Sequence, residues 1–172
     1  MSSEQKNILV IGMPGSGKTT MSRNAAKINN MDVIDFDSQL VEKHGKSIAE
    51  IFEEDGEEGF RKKETELLEE FSEKEYTKPT IFSTGGGIIT RSENIPLMKK
   101  IGKIIYIHRD VEDIANTVRY NSDRPLLEDK ERLYKLWEER KNLYRSLADA
   151  IILNDGNYRE SALRLAMMIR EL

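Results

Sequence analysis

The amino-acid sequence predicts an α/β fold in three layers, a five-stranded parallel sheet with helices on both faces. Three observations carry that expectation. Short runs at 8–11, 31–36, 80–83, 103–108 and 150–153 alternate with segments of helical spacing. Those runs are nearly all apolar, as strands covered on both faces must be. The first run passes directly into a glycine-rich turn and then a helix. No internal repeat, low-complexity tract or linker breaks the alternation, so residues 1–172 read as one domain.

The first strand, Ile8-Leu9-Val10-Ile11, is followed by Gly12-Met13-Pro14-Gly15-Ser16-Gly17-Lys18-Thr19, which fits G-x-x-x-x-G-K-[ST] without a mismatch. Glycine at 12, 15 and 17 permits turn geometries closed to other residues, so consecutive backbone N–H groups converge on phosphate oxygens. Lys18 brings a point charge to the β- and γ-phosphates, and the Thr19 hydroxyl can ligate Mg²⁺. A helix opening at Lys18 adds free N–H groups and the positive end of its dipole. The competing reading is a glycine-rich turn with a surface lysine. The strand before the motif and the helix after it favour phosphate binding, and a three-layer P-loop NTPase-like fold.

That helix covers 18–29 and ends at the Asn29-Asn30 pair. The second strand, 31–36, closes on Asp35-Phe36-Asp37. Ser47-x-x-Glu50 is a capping box opening a helix with Ile48, Ile51 and Phe52 as apolar positions. Gly56 breaks it, and a charged helix runs from 57 to about 75, with Phe60, Leu67, Leu68 and Phe71 at helical spacing. Its Glu and Lys residues read as a solvated face laced with i,i+4 pairs. The third strand, 80–83, leads into Gly85-Gly86-Gly87, and a short helix is expected over 92–100. After the fourth strand, 103–108, Asp110 can cap a helix over 111–119. Residues 120–125, YNSDRP, are breaker-rich and read as a mobile loop. A long helix from about 128 to 147, the fifth strand, and a helix capped by Asn157-x-x-Glu160 complete the chain.

Composition narrows the function. The chain has no cysteine, which excludes disulfides, thiolate catalysis and cysteine-ligated zinc. Its net charge of −4, with 34% charged residues, does not suggest a nucleic-acid binder. The polar start and the short apolar run after it fit neither a signal peptide nor a membrane span, so a cytoplasmic enzyme is expected. His44 and His108 lack partners at ligand spacing, and Trp137 and the Met167-Met168 pair read as core packing.

In a parallel sheet, ligands bind beyond the carboxyl ends of the strands. The phosphate loop, the Asp35/Asp37 pair and the glycine triplet would therefore share one rim. Were the strand to continue through them, Asp35 and Asp37 would project to the same side. One carboxylate would then serve the metal and the other the hydroxyl being phosphorylated. A triplet of glycines suggests close approach of a ligand to the backbone. Ser83-Thr84 stands where a Walker B aspartate is usual, so metal ligation leans on Thr19 and the Asp35 region. Arg61, Arg124 and Arg140 are ordinary surface charges taken singly. If they converge, they would clamp a carboxylate or stabilise a transferring phosphoryl group.

Together these segments resemble the shikimate kinase family, small P-loop kinases of aromatic amino-acid biosynthesis. The resemblance spans nearly the whole chain: GMPGSGKTT at Gly12, DFD at Asp35, GKSIAEIF at Gly45, DGEEGFRKKE at Asp55, STGGG at Ser83, RPLL at Arg124 and ERKNLYRSLAD at Glu139. It implies ATP and Mg²⁺ as cofactors, with Gly15, Ser16, Gly17, Lys18, Thr19 and Thr20 on the phosphates, and Thr19 and Asp35 at the metal. It implies that Asp37 binds the shikimate hydroxyls as base or orienter, that Arg61 and Arg140 grip the carboxylate, and that Gly86, within the 85–87 triplet, bonds substrate through its backbone. Phe52 and Phe60 would shape the pocket wall, on substrate-binding helices over about 38–75. Arg124 would come from a lid over about 119–130. Arg119, once a gap is allowed, and Asn157 would contact adenine. The expected partner is small-molecule shikimate, with no nucleic acid or membrane, and the expected state is a monomer. Two other readings remain: a P-loop kinase for gluconate or a nucleoside monophosphate, and a catalytically silent nucleotide-binding regulator.

Overall fold

The computed structural model describes residues 6–117 and 129–172. Arg119, Arg124 and the expected loop at 120–125 lie outside the described residues. The strands β1 (Ile8–Ile11), β2 (Asp32–Asp35), β3 (Thr80–Ser83), β4 (Lys103–His108) and β5 (Ala150–Leu153) form one five-stranded sheet in the order β2-β3-β1-β4-β5. Every pairing is parallel.

Alternation along the strands divides the apolar residues between two cores. Ile8 and Val10 of β1 join Ile81, Ile105, Ile107 and Ile152 beneath α1 (Lys18–Asn29) and α7 (Tyr158–Glu171). Leu9 and Ile11 face the other way, with Phe82, Ile104 and Tyr106. That side is covered by α2 (Phe36–His44), α3 (Ile48–Glu73), α4 (Asn94–Ile101), α5 (Val111–Thr117) and α6 (Lys130–Leu147).

Local chemistry sets the boundaries. Ser47 and Glu50 form the expected capping box at the start of α3. Gly56 takes φ 69° and ψ −178°, which kinks α3 where a break was expected. Asp110 accepts from the Glu112 N–H at 2.8 Å, and Asp129 caps α6 through the Arg132 N–H.

Two expectations are corrected. The second strand does not run through Asp37. It stops at Asp35, whose side chain caps α2 by accepting from the Ser38 N–H, and Asp37 falls in the first helical turn. An aspartate that accepts from the N–H three residues on starts a helix there, so the two carboxylates do not share a strand face. Met167 is 54% exposed. Successive helix positions point about 100° apart, and the buried stripe of α7 is Ser161, Ala162, Leu165, Ala166 and Ile169, which leaves Met167 outside.

Candidate active site

With β1 at the centre of the sheet, the phosphate loop emerges mid-rim. Asp35 and the glycine triplet follow the strands on one side of it. Arg109 and Asn154 follow those on the other.

The loop has the conformation its glycines were expected to supply, with φ of 154° at Gly12, 82° at Gly15 and 93° at Gly17. Space forbids side chains here as well. A Cβ on Gly12 would stand 2.6 Å from the Ile107 carbonyl oxygen, and one on Gly17 would stand 2.7 Å from Asn154 Nδ2. Lys18 Nζ donates to the carbonyls of Gly12 and Met13 at 2.8 and 2.9 Å, which draws the ammonium back over the loop. Ser16 is fully buried and its hydroxyl has no hydrogen-bond partner, whereas Thr20 is exposed.

Beside the loop, Thr19 Oγ1 donates to Asp35 Oδ1 at 2.9 Å and lies 3.1 Å from Ser83 Oγ. The other oxygen of Asp35 accepts from the Ser38 N–H and hydroxyl. Two hydroxyls and one carboxylate suit Mg²⁺, which keeps several waters and takes few protein ligands besides phosphate. Among the described residues there is no group of three or more His, Cys, Asp or Glu that could hold a metal by itself.

The expected acceptor residues meet across from the loop. Arg61 and Arg140, on α3 and α6, are 5% and 3% exposed, so neither is a solvated charge. Arg61 NH1 donates to Glu64 Oε1 at 2.6 Å, while its Nε and Arg140 NH1 are buried without a partner. The Phe52 and Phe60 rings lie 4.5 Å apart between centroids, tilted by 32°, and the Arg61 guanidinium lies 5.4 Å from the Phe60 ring.

Around the glycine triplet, groups of the protein itself stand close to the backbone. A Cβ would meet Glu64 Oε2 at 2.5 Å from Gly85, Pro14 Cδ at 2.6 Å from Gly86, and the Arg61 guanidinium at 2.2 Å from Gly87. A Cβ on Gly85 would also lie 3.7 Å from Asp37 Oδ1, which sets that carboxylate against the triplet. The triplet is the seam along which phosphate loop, α2 and α3 close.

Sequence reasoning missed several members of this site. Glu64, read as part of a solvated face, is wholly buried. Burial pushes its carboxyl above the usual range; Arg61 opposes that rise, Asp37 adds to it, and Arg140 opposes it. The signal was present, since position 64 falls on the helical stripe of 60, 67, 68 and 71. Tyr144, one turn beyond Arg140, donates to the Gly86 carbonyl at 2.5 Å and reaches Met13 Sδ at 3.9 Å. Burial raises its phenol to about 12, with Arg140, hydrogen-bonded to it, pulling the other way. Asn154 Nδ2 donates to the Ser16 carbonyl at 2.8 Å. Asn157, expected at adenine, caps α7 by accepting from the Glu160 N–H at 3.2 Å.

This arrangement offers a phosphate cradle, a metal-competent hydroxyl and carboxylate, an exposed aspartate and two buried guanidinium groups with unused donors. A profile of the family described as shikimate kinase matches residues 14–170. The chain belongs to the shikimate kinase family. A shikimate kinase of Clostridium beijerinckii is 40% identical over 152 residues, 88% of this chain and 87% of that one. A bifunctional shikimate kinase/3-dehydroquinate synthase of Thermotoga maritima is 40% identical over 138 residues, 80% of this chain, which spans only 27% of that longer protein. The structure of shikimate kinase from Acinetobacter baumannii in complex with shikimate superimposes with a TM-score of 0.89 at 33% identity, covering 98% of this chain and 94% of that one. For this shikimate kinase family member, the superposition therefore extends over nearly the whole fold.

Proposed function

We propose that this chain is a shikimate kinase, transferring the γ-phosphoryl group of ATP to the 3-hydroxyl of shikimate to give shikimate 3-phosphate and ADP. The reading carries with it one kinase domain over 1–172, acting as a monomer on a small molecule in the cytoplasm. Among the described residues no helix is long and apolar enough to cross a membrane. The observation that carries the reading is the pair Arg61 and Arg140. Both are buried and both hold unpartnered donors, on the side of the rim where Asp37 and the glycine triplet meet. A buried guanidinium with free N–H groups calls for an anion of matching shape, and a carboxylate is that shape. A silent nucleotide binder has no use for such a pair.

The chemistry divides among the residues as follows. The acceptor oxygen attacks the γ-phosphorus, the bond to the β,γ-bridging oxygen breaks, and ADP leaves. The hydroxyl proton passes toward Asp37, which acts as base or orients the hydroxyl. In a loose transition state the protein supplies positioning and charge more than covalent chemistry. Loop N–H groups and Lys18 hold the phosphates, and Arg124, through the family resemblance, adds charge at the γ-group. Thr19 and Asp35, with Ser83 beside them, would hold Mg²⁺, which supplies charge neutralisation on the phosphates when bound. Arg61 and Arg140 fix the ring by its carboxylate, and the wall of Phe52 and Phe60 excludes water, the competing acceptor.

A coupled ADP-release assay with shikimate, gluconate and AMP as acceptors tests the proposal. Turnover with shikimate and background rates with the other two are expected. Preference for gluconate or AMP would overturn it.

A further inference from the structure

The side of the rim beyond β4 contains a buried cation that the chemistry above leaves unused. Arg109 directly follows β4 and is 8% exposed. Its NH1 donates to the Gly15 carbonyl and its NH2 to Thr117 Oγ1, both at 2.9 Å. Both acceptors are neutral. Its Nε is buried with no partner, and among the described residues no carboxylate lies within ion-pair distance of it. A guanidinium stays charged at any working pH, and a buried charge without a counter-ion is costly. The molecule tolerates this one beside the loop built to receive a polyanion.

The bond to Gly15 has a geometric consequence. A peptide plane places its C=O and N–H on opposite sides, so holding one fixes the other. The plane between Gly15 and Ser16 is held at both ends, its carbonyl by Arg109 and its N–H by the Met13 carbonyl at 3.1 Å. The next plane is pinned by Asn154 through the Ser16 carbonyl, which aims the Gly17 N–H the other way. Gly15 stands at φ 82° and has no side chain of its own to hold that point of the loop.

We propose that Arg109 is a positioning residue for the nucleotide, locking the crown of the phosphate loop through Gly15 and supplying a buried positive charge whose counter-ion is the polyphosphate of ATP. The inference rests on the ATP site described above. It therefore calls for a measurement made without acceptor, so that it and the shikimate kinase reading can fail separately.

The experiment is calorimetric titration of ADP into wild type, Arg109→Met and Arg109→Lys, followed by KM for ATP and for shikimate. Arg109→Met is expected to weaken ADP at least tenfold and raise the ATP KM to match, with the shikimate KM within twofold of wild type. Arg109→Lys keeps the charge but reaches only one of the two acceptors, so a rise of about threefold is expected. A merely structural arginine would instead lower the melting temperature and move both KM values together. ADP affinity within twofold of wild type in Arg109→Met overturns the proposal, as does an equal rise in both KM values. If Arg109→Met does not fold, Arg109→Lys decides: unchanged ADP affinity overturns the proposal, and the threefold loss supports it. Wild type that binds ADP but ignores shikimate would sink the kinase reading and leave Arg109 standing.

Discussion

At the scale of single residues, Asp37 and Arg61 make different demands on an experiment. Asp37 is exposed in the first turn of α2, so replacing it disturbs little packing. Asp37→Asn is expected to leave the ATP KM within twofold and to cut kcat by at least about a hundredfold, the usual worth of a positioned acid–base group. Steady-state kinetics check this, and a kcat within tenfold of wild type would remove Asp37 from the mechanism. Arg61 cannot be read so simply, because Glu64 is wholly buried and depends on it for its 2.6 Å ion pair. Arg61→Ala should weaken shikimate, but it should also cost roughly 3–5 kcal/mol of stability by stranding a buried carboxylate. Adding Glu64→Gln should return most of that stability and none of the shikimate affinity. Urea unfolding of the single and double variants, with shikimate binding to each, separates the two roles. If the double variant is as unstable as Arg61→Ala, Glu64 is not the stranded group.

At the scale of elements, the glycine triplet after β3 behaves as one unit with the phosphate loop. A Cβ on Gly86 would lie 2.6 Å from Pro14 Cδ and 3.1 Å from its backbone nitrogen, and neither can swing aside. Gly86→Ala is expected to cost about 1–3 kcal/mol as overpacking, and to raise the KM of ATP and shikimate together, because the loop must shift. Gly45 makes the contrast. It sits at φ 64° with nothing within 4 Å, so Gly45→Ala should cost only backbone strain, about 1 kcal/mol, with both KM values unchanged. Thermal melts and paired KM measurements test both, and a selective effect of Gly86→Ala on one substrate would disprove the coupling. The triplet also marks how far elements were legible. Strand runs, the capping box at Ser47 and the break at Gly56 follow from local chemistry and were readable. What crowds each glycine was not, because Glu64, Pro14 and Arg61 are distant in sequence and reach it only through packing. Asp37 was misplaced for a related reason: an aspartate cap and a strand end look alike until Ser38 is seen donating to Asp35.

At the scale of the molecule, the strand order makes the site. Because β1 lies between β3 and β4, one loop faces Asp35 and the glycine triplet on one flank and Arg109 and Asn154 on the other. The sequence announced the parallel sheet, and so the shared rim, but it offered no local sign that α6 would return Tyr144 to Gly86. That return is held by Tyr106 of β4, whose ring stacks on Tyr144 with centroids 5.1 Å apart. Both phenols are pushed up to about 12, chiefly by burial; Tyr144 adds to the rise at Tyr106, and Arg140 opposes it at Tyr144. A folded value above the unfolded value of about 10 means that the folded state holds these protons longer. Their contribution to stability is then complete below pH 10 and is lost as pH rises from 10 toward 12, at up to about 1.4 kcal/mol per pH unit for the fully buried Tyr144. Alkaline unfolding should therefore begin above pH 10, and Tyr144→Phe should flatten its pH dependence there. The chain has 6 tyrosines, so absorbance at 295 nm against pH, with far-ultraviolet circular dichroism alongside, reads the outcome directly. Tyr106 and Tyr144 are expected to ionise only as the fold is lost. Reversible titration of all the tyrosines near pH 10 in folded protein would mean that the stacked pair does not seal the seam between β4 and α6.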